Sequence, residues 1–95
     1  MRDYELMTIY RPDLAETDVE TKIGELEAFL SGADAEVTKR DVWGKRRFAY
    51  EIDHLSEGYY SVLSFTAEVE AVAGVDRMLS LADEVVRHKI VRLGD

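Results

Sequence analysis

The sequence predicts an α+β fold in which two helices pack on one face of a four-stranded antiparallel sheet. Four regions of the chain have the two-residue alternation or the β-branched content of strands, and two segments between them carry apolar residues at helical spacing. The order of these segments is β-α-β-β-α-β. The 95 residues fit one domain, spanning 1–95, which is long enough to bury an ordinary hydrophobic core.

The first half supplies a central strand and a long hairpin arm. Residues 3–10 alternate with apolar groups on both sides, and Pro12 ends this strand because proline has no N–H for the ladder. Residues 35–43 and 46–53 are also strand-like, with an interruption near Gly44. One long bent strand with a bulge and two short strands both fit this pattern.

The first helix is indicated by its cap and its apolar stripe. Thr17 and Glu20 have the spacing of a capping box, in which each side chain bonds the backbone amide of the other residue. The expected helix covers residues 18–31, and Gly32 is expected to end it with a positive φ. The stripe that faces the sheet consists of Val19, Ile23, Leu26 and Leu30.

The second half predicts a turn, a strand, a helix and a final strand. Residues 54–58 form the turn and residues 59–66 the strand. The helix covers residues 69–82, where Gly74 weakens it by about 1 kcal/mol relative to alanine. Residues 85–93, rich in Val and Ile, form the last strand. The predicted core comprises Leu6, Ile23, Leu26, Leu30, Leu63, Phe65, Val72, Val75 and Leu79.

This order of elements is that of the split βαβ, or ferredoxin-like, fold. Right-handed crossovers place the first and third strands in the centre of the sheet and the second and fourth at its edges. Both helices then cover the same sheet face. The other face has nothing in this chain to cover it, and that open face is the main clue to function.

Charge is segregated along the chain. The formal net charge of −8 argues against a protein that coats nucleic acid through bulk charge. Acidic residues concentrate in residues 13–36, whereas residues 39–47 include the cluster Lys45, Arg46 and Arg47. An acidic face and a basic face are therefore expected. A solvated hairpin flank that only discourages edge-to-edge pairing also explains the cluster.

No motif for catalysis or cofactor binding stands out. Cysteine is absent, which excludes disulfides and thiolate metal sites. His54 and His88 lie far apart, and no nucleophile elbow, metalloprotease motif or phosphate loop occurs. The chain has no Asn, which an acylphosphatase-type enzyme of the same topology requires. We expect no enzyme activity, cofactor, metal or small-molecule substrate.

Two further classes of protein do not fit the sequence. An RNA-recognition motif fits poorly, because Glu57 and Ser61 stand where its third strand needs a cation and a second stacking aromatic. A membrane protein is not expected either, since no signal peptide or apolar run of spanning length occurs. The expected location is the cytoplasm.

A set of spaced motifs is more specific than any single element. They are Met1-Arg2-x-Tyr4-Glu5, Pro12 after the first strand, Gly44-x-Arg46-Arg47-x-Ala49-Tyr50-x-Ile52, Gly58-Tyr59-Tyr60 and Asp83-Glu84-Val85-Val86-Arg87-His88. Over essentially its whole length the chain resembles the bacterial small-subunit ribosomal protein six family. The resemblance implies a structural protein of the small ribosomal subunit. It implies binding to the central domain of small-subunit rRNA as a heterodimer with ribosomal protein eighteen, a basic partner that makes much of the RNA contact.

The same resemblance implies site residues. Arg2 matches the family's N-terminal RNA-contacting position, and Arg87 and Arg92 match basic positions of its last strand. Arg46, Arg47 and Tyr50 match the motif of the second strand. Arg46 and Arg47 are assigned to RNA binding and Tyr50 to the partner, with RNA, partner and sheet all open as the role of each. The alternative is a ferredoxin-like interaction or regulatory domain that binds protein through its open sheet and never meets RNA.

The open sheet face is predicted to be the protein–protein surface. Tyr60 and Val62 are expected to project from it, together with Tyr50, because aromatic side chains are favoured at interface centres. A competing hypothesis is that Tyr60 stacks on an RNA base, as aromatic residues do on related sheets.

Overall fold

A computed structural model describes residues 1–94 of the chain. The elements are β1 (Arg2–Tyr10), α1 (Glu16–Gly32), β2 (Glu36–Ile52), β3 (Leu55–Ala67), α2 (Val69–Ser80) and β4 (Val85–Arg92). The four strands form one antiparallel sheet in the order β2-β3-β1-β4. The predicted fold class is confirmed, with the first and third strands in the centre. In this part of the chain, neither helix is long and apolar enough to cross a membrane.

The core lies between one face of the sheet and the two helices. Strand alternation divides β3 cleanly, because its odd-numbered residues from Tyr59 to Ala67 are buried while the even-numbered ones are partly exposed. Leu6 and Leu63 are register partners on the helix-covered face, which fixes how β1 and β3 contribute to the same layer. Eight of the nine predicted core residues are buried, and Val72 packs against them while remaining partly exposed.

The start and end of α1 differ from the prediction. The helix begins at Glu16 after Ala15, which makes no side-chain cap, so the predicted capping box is wrong. Thr17 already lies within the first turn, and it is its carbonyl oxygen that accepts a hydrogen bond from the Thr21 hydroxyl. At the other end Gly32 is still helical, and Asp34, with φ of 60°, is the residue in the left-handed region.

The β2–β3 hairpin is longer and its turn is tighter than predicted. Strand β2 is continuous through Gly44, whose φ of 81° accommodates a bulge in which two residues of β2 oppose one of β3. This finding selects the single bent strand. The turn is the pair Asp53-His54, both with positive φ, and Leu55 already belongs to β3. The predicted turn over 54–58 is wrong. A tight turn needs residues with positive φ, and Asp53 and His54 adopt that conformation in place of a glycine.

Gly74 has a packing role that its helix propensity does not reveal. A Cβ built on Gly74 would lie 2.7 Å from Cζ of Phe29 on α1, closer than such atoms approach. In contrast, a Cβ on Gly24 in α1 would meet no atom within 4 Å. The absent side chain at Gly74 therefore lets the Phe29 ring lie against α2, which partly offsets the propensity cost.

Candidate functional site on the open sheet face

An aromatic cluster forms the centre of the open sheet face. It consists of Trp43 and Phe48 from β2 and Tyr60 from β3. The Trp43 and Tyr60 rings are stacked with centroids 5.8 Å apart and planes at 8°, and the Phe48 ring meets Tyr60 edge-on at 6.0 Å. The bulge at Gly44 is what brings Trp43 over Tyr60, because Gly44 itself is the register partner of Tyr60. Trp43 retains 44% exposure, so the cluster presents an accessible ring.

The aromatic cluster packs on Ile9, and this packing requires a glycine at position 58. Ile9 is the register partner of Tyr60 on β1, and although it points to the open face it is only 3% exposed. A Cβ on Gly58 would lie 2.8 Å from the Ile9 Cγ2, 2.8 Å from the Tyr10 carbonyl oxygen and 3.0 Å from the Phe48 Cζ. Glycine at this position therefore allows Phe48 to cover Ile9 and complete the apolar surface.

Two arginines flank the cluster at one end of the open face, which we call the basic end. Arg87 is the register partner of Ile9, and Arg46 is the partner of Gly58, so alternation directs both to the open face. The Arg46 Nε donates a hydrogen bond to the Trp43 carbonyl oxygen at 3.2 Å, which braces the bulge. Arg47 follows on the protruding hairpin and is exposed, although alternation turns it away from this face.

Arg2 and Arg92 form a second, separate basic site. Both line a cavity of about 180 Å³ at the start of β1, together with Met1, Asp3, Leu93 and Gly94. The strand from residue 2 to residue 9 spans about 23 Å, so this site lies well away from Arg87. The five predicted RNA-binding arginines are thus divided between two ends of the sheet rather than brought together.

The remaining predicted site residues have different surroundings. Val62 is partly exposed on the open face beside Met7, its register partner. Tyr50 is 71% exposed on the hairpin, in the irregular stretch between Arg47 and Ile52, and it takes no part in the ring contacts of the aromatic cluster.

His88 does not belong to a basic patch with its sequence neighbours. Alternation turns it to the helix-covered face, where its Nε2 lies 2.8 Å from Oδ1 of Asp76 on α2. Arg87 and Lys89 point to the opposite face. Consecutive strand residues face opposite sides of a sheet, so these three neighbours do not form one basic patch.

The other end of the open face contains a groove of about 210 Å³. Its apolar lining is Met7, Val62 and Trp43, and its polar lining is Glu5, Asp41, Lys39 and Ser64. The side chains of Glu5 and Asp41 form no ion pair or hydrogen bond with any part of the chain that the structure describes. The open face is therefore polarised, with arginines beyond one side of the aromatic cluster and carboxylates beyond the other.

A second group of charges lies on the helix-covered side. The Lys22 ammonium is 3.5 Å from Glu84 and 3.6 Å from Glu25, and these carboxylates, Glu84 foremost, raise the pKa of Lys22. Burial raises the pKa of the neighbouring Tyr10 hydroxyl above its ordinary value, and the negative charge of Glu84 adds to the rise. Both groups are held in the protonated form that they have in water at neutral pH. These charges therefore contribute to the packing of α1 against β1. Neither Lys22 nor Tyr10 has a pKa suited to a general acid or base at neutral pH.

Sequence reasoning missed two members of the aromatic cluster. Trp43 and Phe48 were absent from the predicted site because the alternation of β2 could not be followed through the bulge at Gly44. A Trp next to a glycine within a strand pattern was the available signal, since bulges redirect a neighbouring side chain. The carboxylates of the groove gave no signal in the sequence, because Glu5 on β1 and Asp41 on β2 come to line one groove only through the pairing of both strands with β3.

The fold and the open sheet face together define a ferredoxin-like protein whose candidate functional site is a binding surface. No group of three or more potential metal ligands occurs within residues 1–94. The open face instead combines aromatic rings, two arginines and unpaired carboxylates, which are groups for recognition.

Comparison with known proteins identifies the family. The model of the family described as Ribosomal protein S6 matches residues 3–92. The small ribosomal subunit protein bS6 of Carboxydothermus hydrogenoformans is 46% identical over 92 residues, covering 97% of this chain and 96% of that protein. The corresponding protein of Desulforamulus reducens is 43% identical, with all of both chains covered. The chain belongs to the Ribosomal protein S6 family.

A solved structure supports the same conclusion. The crystal structure of 30S ribosomal protein S6 from Thermotoga maritima superposes with a TM-score of 0.92 at 26% identity, covering 97% of this chain and 87% of that one. The predicted family is confirmed. That family is one of ribosomal structural proteins, not a class of enzymes.

Proposed function

We propose that this protein is a structural component of the small ribosomal subunit that binds the central domain of small-subunit rRNA as a heterodimer with ribosomal protein eighteen. Its location is then the ribosome, in the cytoplasm. The main support from the structure is the open sheet face, which carries an aromatic cluster and an arginine-bearing end that the fold itself leaves uncovered. Family membership supports the ribosomal role.

The distribution of charge explains how an acidic protein can contact RNA. The net charge of −8 opposes binding to a polyanion as a whole. Arg46 and Arg87 nevertheless lie at the same end of the open face, and Arg47 is exposed on the adjoining hairpin. None of the three forms an ion pair with the described residues. A few such arginines hold phosphates locally, since guanidinium groups match phosphate geometry. A basic partner then supplies most of the attraction to RNA.

The apolar character of the open face explains why a protein partner is needed. Trp43 is 44% exposed, and Tyr60, Val62 and Phe48 are only partly covered. Clustered aromatic side chains of this kind are typical of the centre of a protein interface. We therefore assign the aromatic cluster to ribosomal protein eighteen and the arginines at its border to RNA.

Removal of Arg87 should weaken RNA binding by the heterodimer. We expect Arg87→Ala to lower affinity for a central-domain rRNA fragment at every salt concentration. It should also reduce the slope of log affinity against log salt by just under one unit, about 0.7–0.9, because one phosphate contact releases about that many counterions. The measurement is filter binding between low and moderate salt, with ribosomal protein eighteen present. The double variant Arg2→Ala, Arg92→Ala should show a separate reduction.

Arg77→Ala provides the matched control. Arg77 is an exposed arginine on α2, on the covered side of the sheet, so its removal changes net charge equally without touching the proposed RNA surface. Equal effects of Arg87→Ala and Arg77→Ala would show that only overall charge matters. Failure of the wild-type pair to bind the fragment would instead favour an interaction domain without an RNA role.

A further inference from the structure

We propose that the groove lined by Glu5 and Asp41 is a receptor for an arginine side chain from an extended basic segment of the protein partner. This inference rests on the proposed function, because it names the chemistry by which the open face selects ribosomal protein eighteen. It adds a recognition site that adjoins the aromatic cluster, shares Trp43 with it and is separate from the arginines that face RNA.

The lining of the groove matches the parts of an arginine side chain. Met7 and Val62 supply an apolar floor for the methylene stem. Glu5 and Asp41 supply carboxylates for the guanidinium, and a planar guanidinium can bond carboxylates through two parallel hydrogen bonds. Trp43 borders the same groove, and guanidinium groups stack favourably on indole rings. At about 210 Å³, the groove is smaller than the roughly 300–1,000 Å³ of typical small-molecule sites and suits one side chain.

Charge favours a cationic occupant over RNA. Register places Asp3 and Glu36 opposite Thr66, in the row next to Glu5. Four carboxylates therefore share this end of the face with two ammonium groups, those of Lys39 and of Lys89, the register partner of Met7. Asp3 accepts a hydrogen bond from the Thr66 hydroxyl, whereas Glu5 and Asp41 have no partner in the part of the chain that the structure describes. Phosphate would be repelled here. A basic segment would find unpaired carboxylates beside exposed aromatic surface.

A second copy of this chain is a poorer occupant. Two copies that each carry a net charge of −8 repel one another, which opposes self-association. A partner rich in arginine gains from the same field, because opposite charges raise the rate at which the two proteins meet.

Trp43 allows a direct test because it is the only tryptophan in the chain. A six-residue peptide of alternating arginine and alanine is titrated at low salt while Trp43 emission is followed. We expect a saturable change that a glutamate–alanine peptide does not produce. The double variant Glu5→Gln, Asp41→Asn should weaken peptide binding at least about fivefold, because both groups that pair with the guanidinium lose their charge. Lys39→Met should strengthen it.

The control variant is Glu70→Gln, Asp83→Asn, which makes the same substitutions at exposed positions away from the open face. It should bind the peptide as the wild type does. The proposal that the groove binds arginine would be overturned if wild-type Trp43 emission showed no saturable change. It would also be overturned if both double variants lost peptide affinity equally. Trp43 emission that varies with protein concentration alone would assign the groove to a second copy and also overturn the proposal. Lys39→Met is expected to increase peptide affinity, and poor folding would not produce such an increase. This variant therefore keeps the test decisive if Glu5→Gln, Asp41→Asn folds poorly.

Heterodimer formation with ribosomal protein eighteen separates this inference from the proposed function. We expect Glu5→Gln, Asp41→Asn to weaken the RNA-free heterodimer about 30-fold or more, because the guanidinium would be left at the interface without its charged partners. A wild-type heterodimer that is insensitive to the variant overturns the groove and leaves the proposed function standing. Absence of any wild-type heterodimer contradicts the proposed function, and with it the identity of the partner, whatever the peptide does.

Discussion

Leu30→Ala is expected to lower the free energy of unfolding by about 2–5 kcal/mol, which is a large part of the roughly 5–15 kcal/mol that stabilises a domain of this size. Leu30 is fully buried at the end of α1, at 0% exposure. It lies where α1 packs on the sheet, and its carbonyl oxygen also accepts the amides of Ala33 and Ala35, which turn the chain into β2. Truncation leaves a cavity that this anchored turn cannot collapse into. Urea unfolding followed by circular dichroism measures the loss.

Leu81→Ala is the matched control for this effect. The same substitution there removes a side chain that is 74% exposed just after α2, so stability should change by no more than about 0.5 kcal/mol. If the two variants were equally stable, Leu30 would not belong to a tightly packed core. The described packing of α1 on the sheet would then be wrong.

Tyr60→Ala is expected to weaken the RNA-free heterodimer with ribosomal protein eighteen by about 1–3 kcal/mol, or roughly 5- to 150-fold. Tyr60 contacts both other members of the aromatic cluster, so its ring holds Trp43 and Phe48 in place as well as contributing its own surface. Loss of that ring removes an anchor at the centre of the proposed interface. Isothermal titration calorimetry with the purified partner gives the change in affinity.

Tyr60→Phe distinguishes the ring from the hydroxyl. It retains both ring contacts, and we expect it to bind the partner within a few-fold of the wild type. A normal heterodimer in Tyr60→Ala, accompanied by a loss of RNA binding alone, would mean that Tyr60 stacks on a base instead. In that case the open face would belong to RNA and the assignment of the aromatic cluster would be wrong.

The fold was predictable because each element carries its own periodic signal. The stripe Val19, Ile23, Leu26 and Leu30 identifies α1, and the alternation of β3 identifies the buried face. The errors occur where the local sequence is compatible with more than one backbone conformation. Thr17 and Glu20 have capping-box spacing, yet the helix begins two residues earlier than this spacing predicts, at Glu16. The tight turn at Asp53 and His54 contains no glycine, so it resembled the end of a strand rather than a turn.

The site was predictable only where one strand defines it. Tyr60 and Val62 follow from the alternation of β3, and both lie on the open face as expected. Trp43 depends on a bulge. The placement of Glu5 and Asp41 along one groove depends on three strands whose register the sequence does not state. The arginines show the same limit, since Arg2 lies about 23 Å along β1 from Ile9, the register partner of Arg87.

Side-chain footprinting by hydroxyl radicals, read by mass spectrometry, tests most directly whether ribosomal protein eighteen covers the open face before RNA binds. The chain is probed alone, with ribosomal protein eighteen, with the central-domain RNA fragment, and with both. We expect the protein partner alone to protect Met7, Trp43 and Tyr60, while Phe29 and Leu81 on the helix side stay reactive. Protection of the helix side by the partner, or protection of Trp43 and Tyr60 by RNA without the partner, would contradict this account.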